Sequence, residues 1–254
     1  MIPKIIHYVW VGNKEKDDLA LACINSWKKY FPDFELMEWN NSNIPIEVKY
    51  VSAAYESKNW SNVSNFIRLH ALLEYGGIYF DTDFEAIKSF DFLDSVQVFL
   101  GYENNDPLVN SAVLGGVKNH LFFKDCMEYL LKHFDGLEQS NLSGPVLATE
   151  VLKNYGLENA SQQIIQDITI FPEEYFYPYP WNKPFVYACV SETTYGIHYW
   201  AKSWEADKSQ LAINQLLHQI EENNLNSKNT LFIFKTVLKV FINKIKNKVK
   251  QLKS

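Results

Sequence analysis

Asp81 and Asp83 stand either side of one threonine, at the end of the apolar run Ile78-Tyr79-Phe80. In an extended chain, residues two apart project to the same side, so the two carboxylates point together. Paired carboxylates at a strand end suit a hard divalent cation, which keeps open positions for further oxygen ligands such as phosphate. Most triplets of this kind are solvated turns. Here Tyr79 and Phe80 precede the pair and Phe84 follows it. Acids drawn towards an interior need a compensating charge, and a metal supplies one.

A second chemical singularity lies upstream. Arg68 is the only arginine among 24 basic residues. A coding preference for lysine explains the low count. A planar five-donor fork kept at one place also suits a task that lysine performs poorly.

The elements that must position these groups alternate. Residues 4–11 read as a buried first strand ending at Gly12. Residues 17–30 carry a helical apolar spacing stopped by Pro32, and 34–39 alternate like a second strand. Residues 62–75 predict a helix capped by Ser61 and ended by Gly76-Gly77, before the strand that runs into Asp81. Strands over 97–102, 111–117 and 196–200 and helices over 121–134 and 146–155 follow. Such alternation implies an open α/β sheet, whose ligands sit beyond the carboxyl ends of strands, where Gly12 and Asp81 both fall. Residues 171–187 hold eight large aromatic rings and are expected to form an ordered loop that builds part of a binding surface.

Composition bounds the rest. Apolar residues make up 47 %, enough for a full-sized core. Cys23, Cys126 and Cys189 are few and scattered, which fits neither a disulfide framework nor a cysteine metal site and makes a reducing cytoplasm the expectation. No secretory leader pattern opens the sequence, and no long uncharged apolar run is present. The net charge of −6 is uneven: residues 228–254 hold eight lysines and no acid, so the remainder carries 16 basic against 30 acidic groups. An acidic body argues against a nucleic-acid partner.

Ala71-Leu72-Leu73-Glu74-Tyr75-Gly76-Gly77-Ile78-Tyr79-Phe80-Asp81-Thr82-Asp83 resembles the signature of the family thirty-two glycosyltransferases. Ile2–Gly12 resembles that family's opening strand, Ser26–Asp33 its next block, and His198-Tyr199-Trp200-Ala201-Lys202-Ser203-Trp204 its closing motif. The resemblance covers roughly residues 1–205, in the family's order, and extends more distantly to the catalytic segments of clostridial glucosylating toxins. It implies a fold of the GT-A type: a single Rossmann-like mixed sheet flanked by helices, over residues 1–227. It also implies a metal-dependent, retaining transfer of a hexose or N-acetylhexosamine from a nucleotide sugar, a UDP-sugar by preference, to a glycan or lipid-linked acceptor.

The resemblance also distributes roles. Val9 and Trp10 would hold the nucleotide, Trp10 by stacking on the base, although a core position is an alternative for it. Tyr79 would pack near ribose and phosphate. Asp81, Asp83 and His198 would hold Mn²⁺ or Mg²⁺, with the imidazole better matched to Mn²⁺; a lone histidine is equally often structural. Ser64, Asn65 and Arg68 fall on the family's Ser-Asp-x-x-Arg element, which holds the transferred sugar. Asn65 and Arg68, three apart on a helix, share a face. Asn65 departs from the family's frequent aspartate, and an amide both donates and accepts where an ionised acid only accepts. Asn110 resembles an asparagine near the reacting carbon, which with Asp83 and Arg68 makes up the expected catalytic set. Ser143-Gly144-Pro145 resembles an acceptor-facing loop. Ser203 and Trp204 resemble a segment that closes over the diphosphate.

Residues 228–254 form a separate device. Leu231, Phe234, Leu238, Phe241, Ile245, Val249 and Leu252 recur at steps of three and four, with lysines largely off that stripe. This predicts a basic amphipathic helix suited to the anionic inner face of a cell membrane, or alternatively one packed on the body or a partner. Synthesis of a capsule-like surface polysaccharide or a glycolipid is the expected setting. A toxin-like effector acting on a protein and a non-catalytic carbohydrate binder are the competing readings.

Overall fold

The computed structural model describes residues 1–103, 108–158 and 163–201. Ser203, Trp204 and the whole basic tail lie outside the described residues. Among the described residues two compact units are present: Met1–Pro180 with Val190–His198, and Trp181–Cys189 with 199–201.

The first unit is built on an apolar strand, β1 (Ile5–Val9), which pairs in parallel with β2 (Glu35–Trp39) and β3 (Gly77–Phe80). Helix α1 (Asp18–Tyr30) makes the first crossover, capped by the Asp17 carboxylate accepting from the Ala20 N–H. Helix α2 (Lys49–Glu56) and helix α3 (Trp60–Glu74) make the second. Strand β6 (Leu108–Gly116) runs antiparallel to both β3 and β5 (Val98–Glu103). Strand β8 (Ile168–Phe171) lies parallel to β5 and pairs antiparallel with β7 (Gln163–Ile165). The sheet therefore reads β2-β1-β3-β6-β5-β8-β7, a mixed α/β sheet flanked by helices, which include α4 (Leu121–His133) and α5 (Leu147–Tyr155). A separate two-stranded sheet joins β4 (Phe84–Ala86) to β9 (Gly196–His198).

The turn into β3 needs glycine. Gly76 and Gly77 have φ of +67° and +108°, and a Cβ on Gly77 would lie 2.5 Å from the Ile5 carbonyl oxygen. That close approach seats β3 against β1. The His7↔Tyr79 register then puts the residues following Val9 and Phe80 at one edge of the sheet.

Helix α1 positions β4 through two buried polar bonds. The Trp27 indole N–H donates to the Phe84 carbonyl at 2.8 Å, and the Ser26 hydroxyl accepts from the Ala86 N–H at 2.9 Å. A buried donor on α1 thus fixes the strand that follows Asp83.

Helix α3 begins at Trp60, with Asn59 at its cap position, and Ser61 falls inside it. The Asn59 side chain makes no cap bond; it reaches instead towards the Gly136 and Glu138 carbonyls. The aromatic segment also departs from expectation. Phe171, Phe176, Tyr177, Tyr179 and Phe185 are buried, and only Trp181 and Tyr187 among its rings are exposed. Phe176 lies against Phe84, Phe90 and Phe99, so most of these rings fill core rather than form a binding surface.

Candidate active site

The edge where β1 and β3 end gathers the acids. Asp81 continues the β3–β6 ladder by donating its N–H to the Ala112 carbonyl at 2.8 Å. Asp83 leads into β4, and the pairing of Phe84 with His198 lays β9 alongside. His198 Nε2 consequently stands 3.2 Å from an Asp83 carboxylate oxygen. One ligand atom from each of Asp81, Asp83 and His198 lies within 4.8 Å of the others. Two carboxylates and an imidazole at that spacing could hold a divalent cation.

Arg68 supports this cluster from α3. Its side chain is 7 % exposed. One guanidinium nitrogen donates to the Ser111 carbonyl and hydroxyl, at 2.7 and 2.5 Å. The other donates to Asp81 Oδ1 at 2.9 Å, and Nε donates to the Ser64 carbonyl at 3.3 Å. The guanidinium carbon sits 4.8 Å from the centre of the Tyr79 ring, and the Tyr79 hydroxyl donates to the same Asp81 oxygen at 2.8 Å. A lysine could not span Ser111 and Asp81 at once, so the sole arginine is used for its fork.

The charges depend on one another. Burial raises the Asp81 pKa, the Arg68 charge opposes that rise, and neighbouring Asp83 adds to it; the carboxyl stays above its ordinary value. Burial alone would lower the His198 pKa, but the adjacent Asp83 carboxylate, aided by Asp81 and Glu103, holds the imidazole above its usual range. Burial likewise works against charged Arg68, and Asp81 together with Tyr79 and Tyr177 more than offsets it. A site that holds acids against their own burial is arranged to receive positive charge.

The remaining expected residues are placed as follows. Val9 is buried at the end of β1. Trp10 is half-buried just beyond, its indole N–H donating to the Lys14 carbonyl at 2.8 Å, with Lys16 Nζ 5.9 Å from its ring. Ser64 meets Arg68 through its carbonyl. Asn65 turns towards residues 140–143, with its amide nitrogen 2.8 Å from the Ser140 carbonyl and 3.0 Å from the Ser143 hydroxyl. Asn110 is held at both ends: it donates to Glu103 at 2.7 Å and accepts from the Ala112 N–H at 2.7 Å.

Three neighbours escaped the sequence reading. Ser111 takes two Arg68 bonds. Tyr177 accepts from the Val113 N–H at 3.1 Å and meets His198 edge to face at 5.6 Å. Glu103 orients Asn110. Ser111 adjoins the recognised Asn110, but only strand pairing brings it to Arg68, and neither Tyr177 nor Glu103 carries a motif.

Residues 17–100 match the family model described as a glycosyltransferase sugar-binding region containing a DXD motif, and residues 116–224 match the alpha 1,4-glycosyltransferase conserved region. The lactosylceramide 4-alpha-galactosyltransferase of Pongo pygmaeus is 27 % identical over 204 residues, covering 76 % of this chain and 88 % of the relative. The Homo sapiens protein of that name is also 27 % identical, and there the match spans 54 % of the relative's length. The Homo sapiens alpha-1,4-N-acetylglucosaminyltransferase is 26 % identical over 184 residues, 68 % of this chain and 50 % of the relative. The chain thus matches about half the length of these two human relatives. Among solved structures, the PaToxG glycosyltransferase superposes with a TM-score of 0.51 at 20 % identity, over 60 % of this chain and 69 % of that one, a likeness of fold.

Proposed function

We propose that this chain, a glycosyltransferase by its family matches and curated relatives, moves a hexose or N-acetylhexosamine from a UDP-type nucleotide sugar to a glycan or glycolipid acceptor, with retention and in an α-linkage. The observation that carries the reading is the convergence of Asp81, Asp83 and His198 on one point, backed by buried Arg68. The two human relatives are named as a 4-alpha-galactosyltransferase and an alpha-1,4-N-acetylglucosaminyltransferase, which supports an α-1,4 linkage here.

In this reading Asp81, Asp83 and His198 hold a divalent cation, Mn²⁺ by preference. When bound, that cation supplies positive charge against the departing diphosphate. The chain's own residues do the rest by preorganisation. Arg68 and Tyr79 fix the Asp81 carboxylate through one oxygen, so it need not reorient during reaction. The His198–Asp83 contact fixes the imidazole. Trp10, at the same sheet edge, offers a flat face to a base. Asn110, clamped by Glu103 and Ala112, stands as a rigid positioning group rather than a mobile one. Ser203 and Trp204 are assigned to closure over the diphosphate, which would exclude water and favour transfer over hydrolysis. The tail at 228–254 is assigned to an anionic membrane surface on the cytoplasmic side, beside a lipid-linked acceptor; the lysine count without any acid supports this.

The test is a panel of nucleotide sugars with Mn²⁺ or Mg²⁺, scored by release of nucleoside diphosphate in the presence of glycolipid and oligosaccharide acceptors. At least one donor should turn over, and Asp83→Ala should abolish that turnover while far-ultraviolet circular dichroism stays unchanged. Turnover by the Asp83→Ala protein equal to wild type would defeat the assignment.

A further inference from the structure

Helix α3 and its cap position carry asparagines at every third position before the arginine: Asn59, Asn62, Asn65 and Arg68. Each three-residue step makes neighbours of successive members, and the row winds about half a turn round the helix from Asn59 to Arg68. A polar stripe of this kind is normally solvated, yet Asn62 is fully buried and Asn65 and Arg68 nearly so. The three asparagines face the segment between α4 and α5. Asn59 Nδ2 lies 3.4 Å from the Gly136 and Glu138 carbonyls. Asn62 Nδ2 donates to the same two carbonyls at 3.0 Å each. Asn65 Nδ2 donates to the Ser140 carbonyl at 2.8 Å and to the Ser143 hydroxyl at 3.0 Å. A carbonyl only accepts, so the amide nitrogen of Asn65, not its oxygen, must face Ser140. An ionised aspartate at this position would set two acceptors against each other.

From these bonds we propose that Asn65 is a positioning residue, the last rung of a buried asparagine ladder that pins residues 136–143 to α3 and thereby sets the Ser143–Gly144 wall beside Arg68. Asn65, Arg68, Ser111, Ser143 and Gly144 together line a small cavity of about 10 Å³, the room of a single water. With both amide hydrogens committed, Asn65 offers Oδ1 as its acceptor beside Gly144, where a Cβ would come within 3.1 Å of that oxygen and 3.5 Å of Nδ2. The departure from aspartate therefore leaves the acceptor character of the position intact and removes its charge. Arg68 keeps Asp81 as its carboxylate partner, without a second acid competing for it. The ladder stands on its hydrogen bonds; its effect on turnover rests on the function proposed above.

The decisive variant is Asn65→Asp, which keeps shape and acceptor oxygens but loses both donors. Hydrogen exchange of the full chain, followed by mass spectrometry, should show amides of 140–147 exchanging about tenfold faster, the scale of one or two lost buried bonds, with β3 unchanged. Donor kcat should fall about tenfold with KM within about twofold, as expected of lost positioning rather than lost binding. Asn59→Ala, which removes the longest and mildest rung, should speed exchange at Gly136–Glu138 alone and covers the case in which Asn65→Asp fails to fold. Unchanged exchange at 136–147 in both variants, or a rise in donor KM with exchange intact in Asn65→Asp, would overturn the proposal. Exchange is read without any donor, so it decides the ladder even if no nucleotide sugar turns over.

Discussion

Replacing Arg68 by methionine would separate the arginine's charge from its bulk. The wild-type pair has nitrogen and oxygen 2.9 Å apart, with the side chains 7 % and 26 % exposed. Removing one member of a buried pair costs about 3–5 kcal/mol, because the other charge stays buried without a partner. Asp81 keeps some contact with water, so the lower end applies, about 3 kcal/mol. At about 2–4 °C per kcal/mol for a chain of this size, the midpoint of thermal unfolding should drop by about 10 °C. Much of that cost is the stranded Asp81 charge beside Asp83, so Asp81→Asn in the same protein should return part of it. A double-mutant cycle by urea unfolding should give a coupling of about 2 kcal/mol. Additive effects of the two substitutions, or a loss below about 1 kcal/mol for Arg68→Met, would refute the reasoning that the arginine exists to hold that acid.

Two further outcomes are expected. His7 is fully buried, donates from Nε2 to the Gly76 carbonyl at 2.9 Å and accepts at Nδ1 from the Trp39 indole, so it is held neutral. Burial lowers its pKa from 6.5 to about 4, with the Gly76 bond opposing the fall in part. The folded protein therefore binds fewer protons than the unfolded chain between those values. Stability from this residue is complete above pH 6.5 and declines as pH falls towards 4, by up to about 3 kcal/mol. His7→Gln, which keeps the donor and does not titrate, should flatten that part of the curve in urea unfolding between pH 7.5 and 4.5; parallel curves would count against it. Deleting residues 229–254 should abolish flotation with vesicles containing anionic lipid, and unchanged binding would end the membrane assignment.

Much of the site could be read before the structure was described because its parts are local. Asp81 and Asp83 flank one residue, and the Gly76-Gly77 turn announces the strand before them. His198 was reachable only through resemblance. Its approach to Asp83 depends on pairing between β4 and β9, two three-residue strands too short to leave a periodic trace. The asparagine ladder was hidden for a different reason. Asn62 resembles part of a solvated face in a helix whose apolar residues dominate the pattern, and only the loop carbonyls explain its burial. The aromatic segment at 171–187 misled because ring content is equally high in cores and in carbohydrate sites; the rings of Phe171 and Phe176 meet Phe92, which sequence separation conceals.

The β4–β9 pairing also sets an order of assembly. Asp81 and Asp83 emerge from the ribosome early, whereas His198 follows only after the strands that complete the large sheet. Contacts between residues so distant in sequence carry a high loop-closure cost and form late. The nascent chain therefore holds its two acids through most of synthesis without their imidazole partner. The Asp81–Asp83–His198 cluster is therefore completed late, and a chain interrupted before Gly196 holds both acids and every strand of the sheet β2-β1-β3-β6-β5-β8-β7 in its sequence while lacking the histidine.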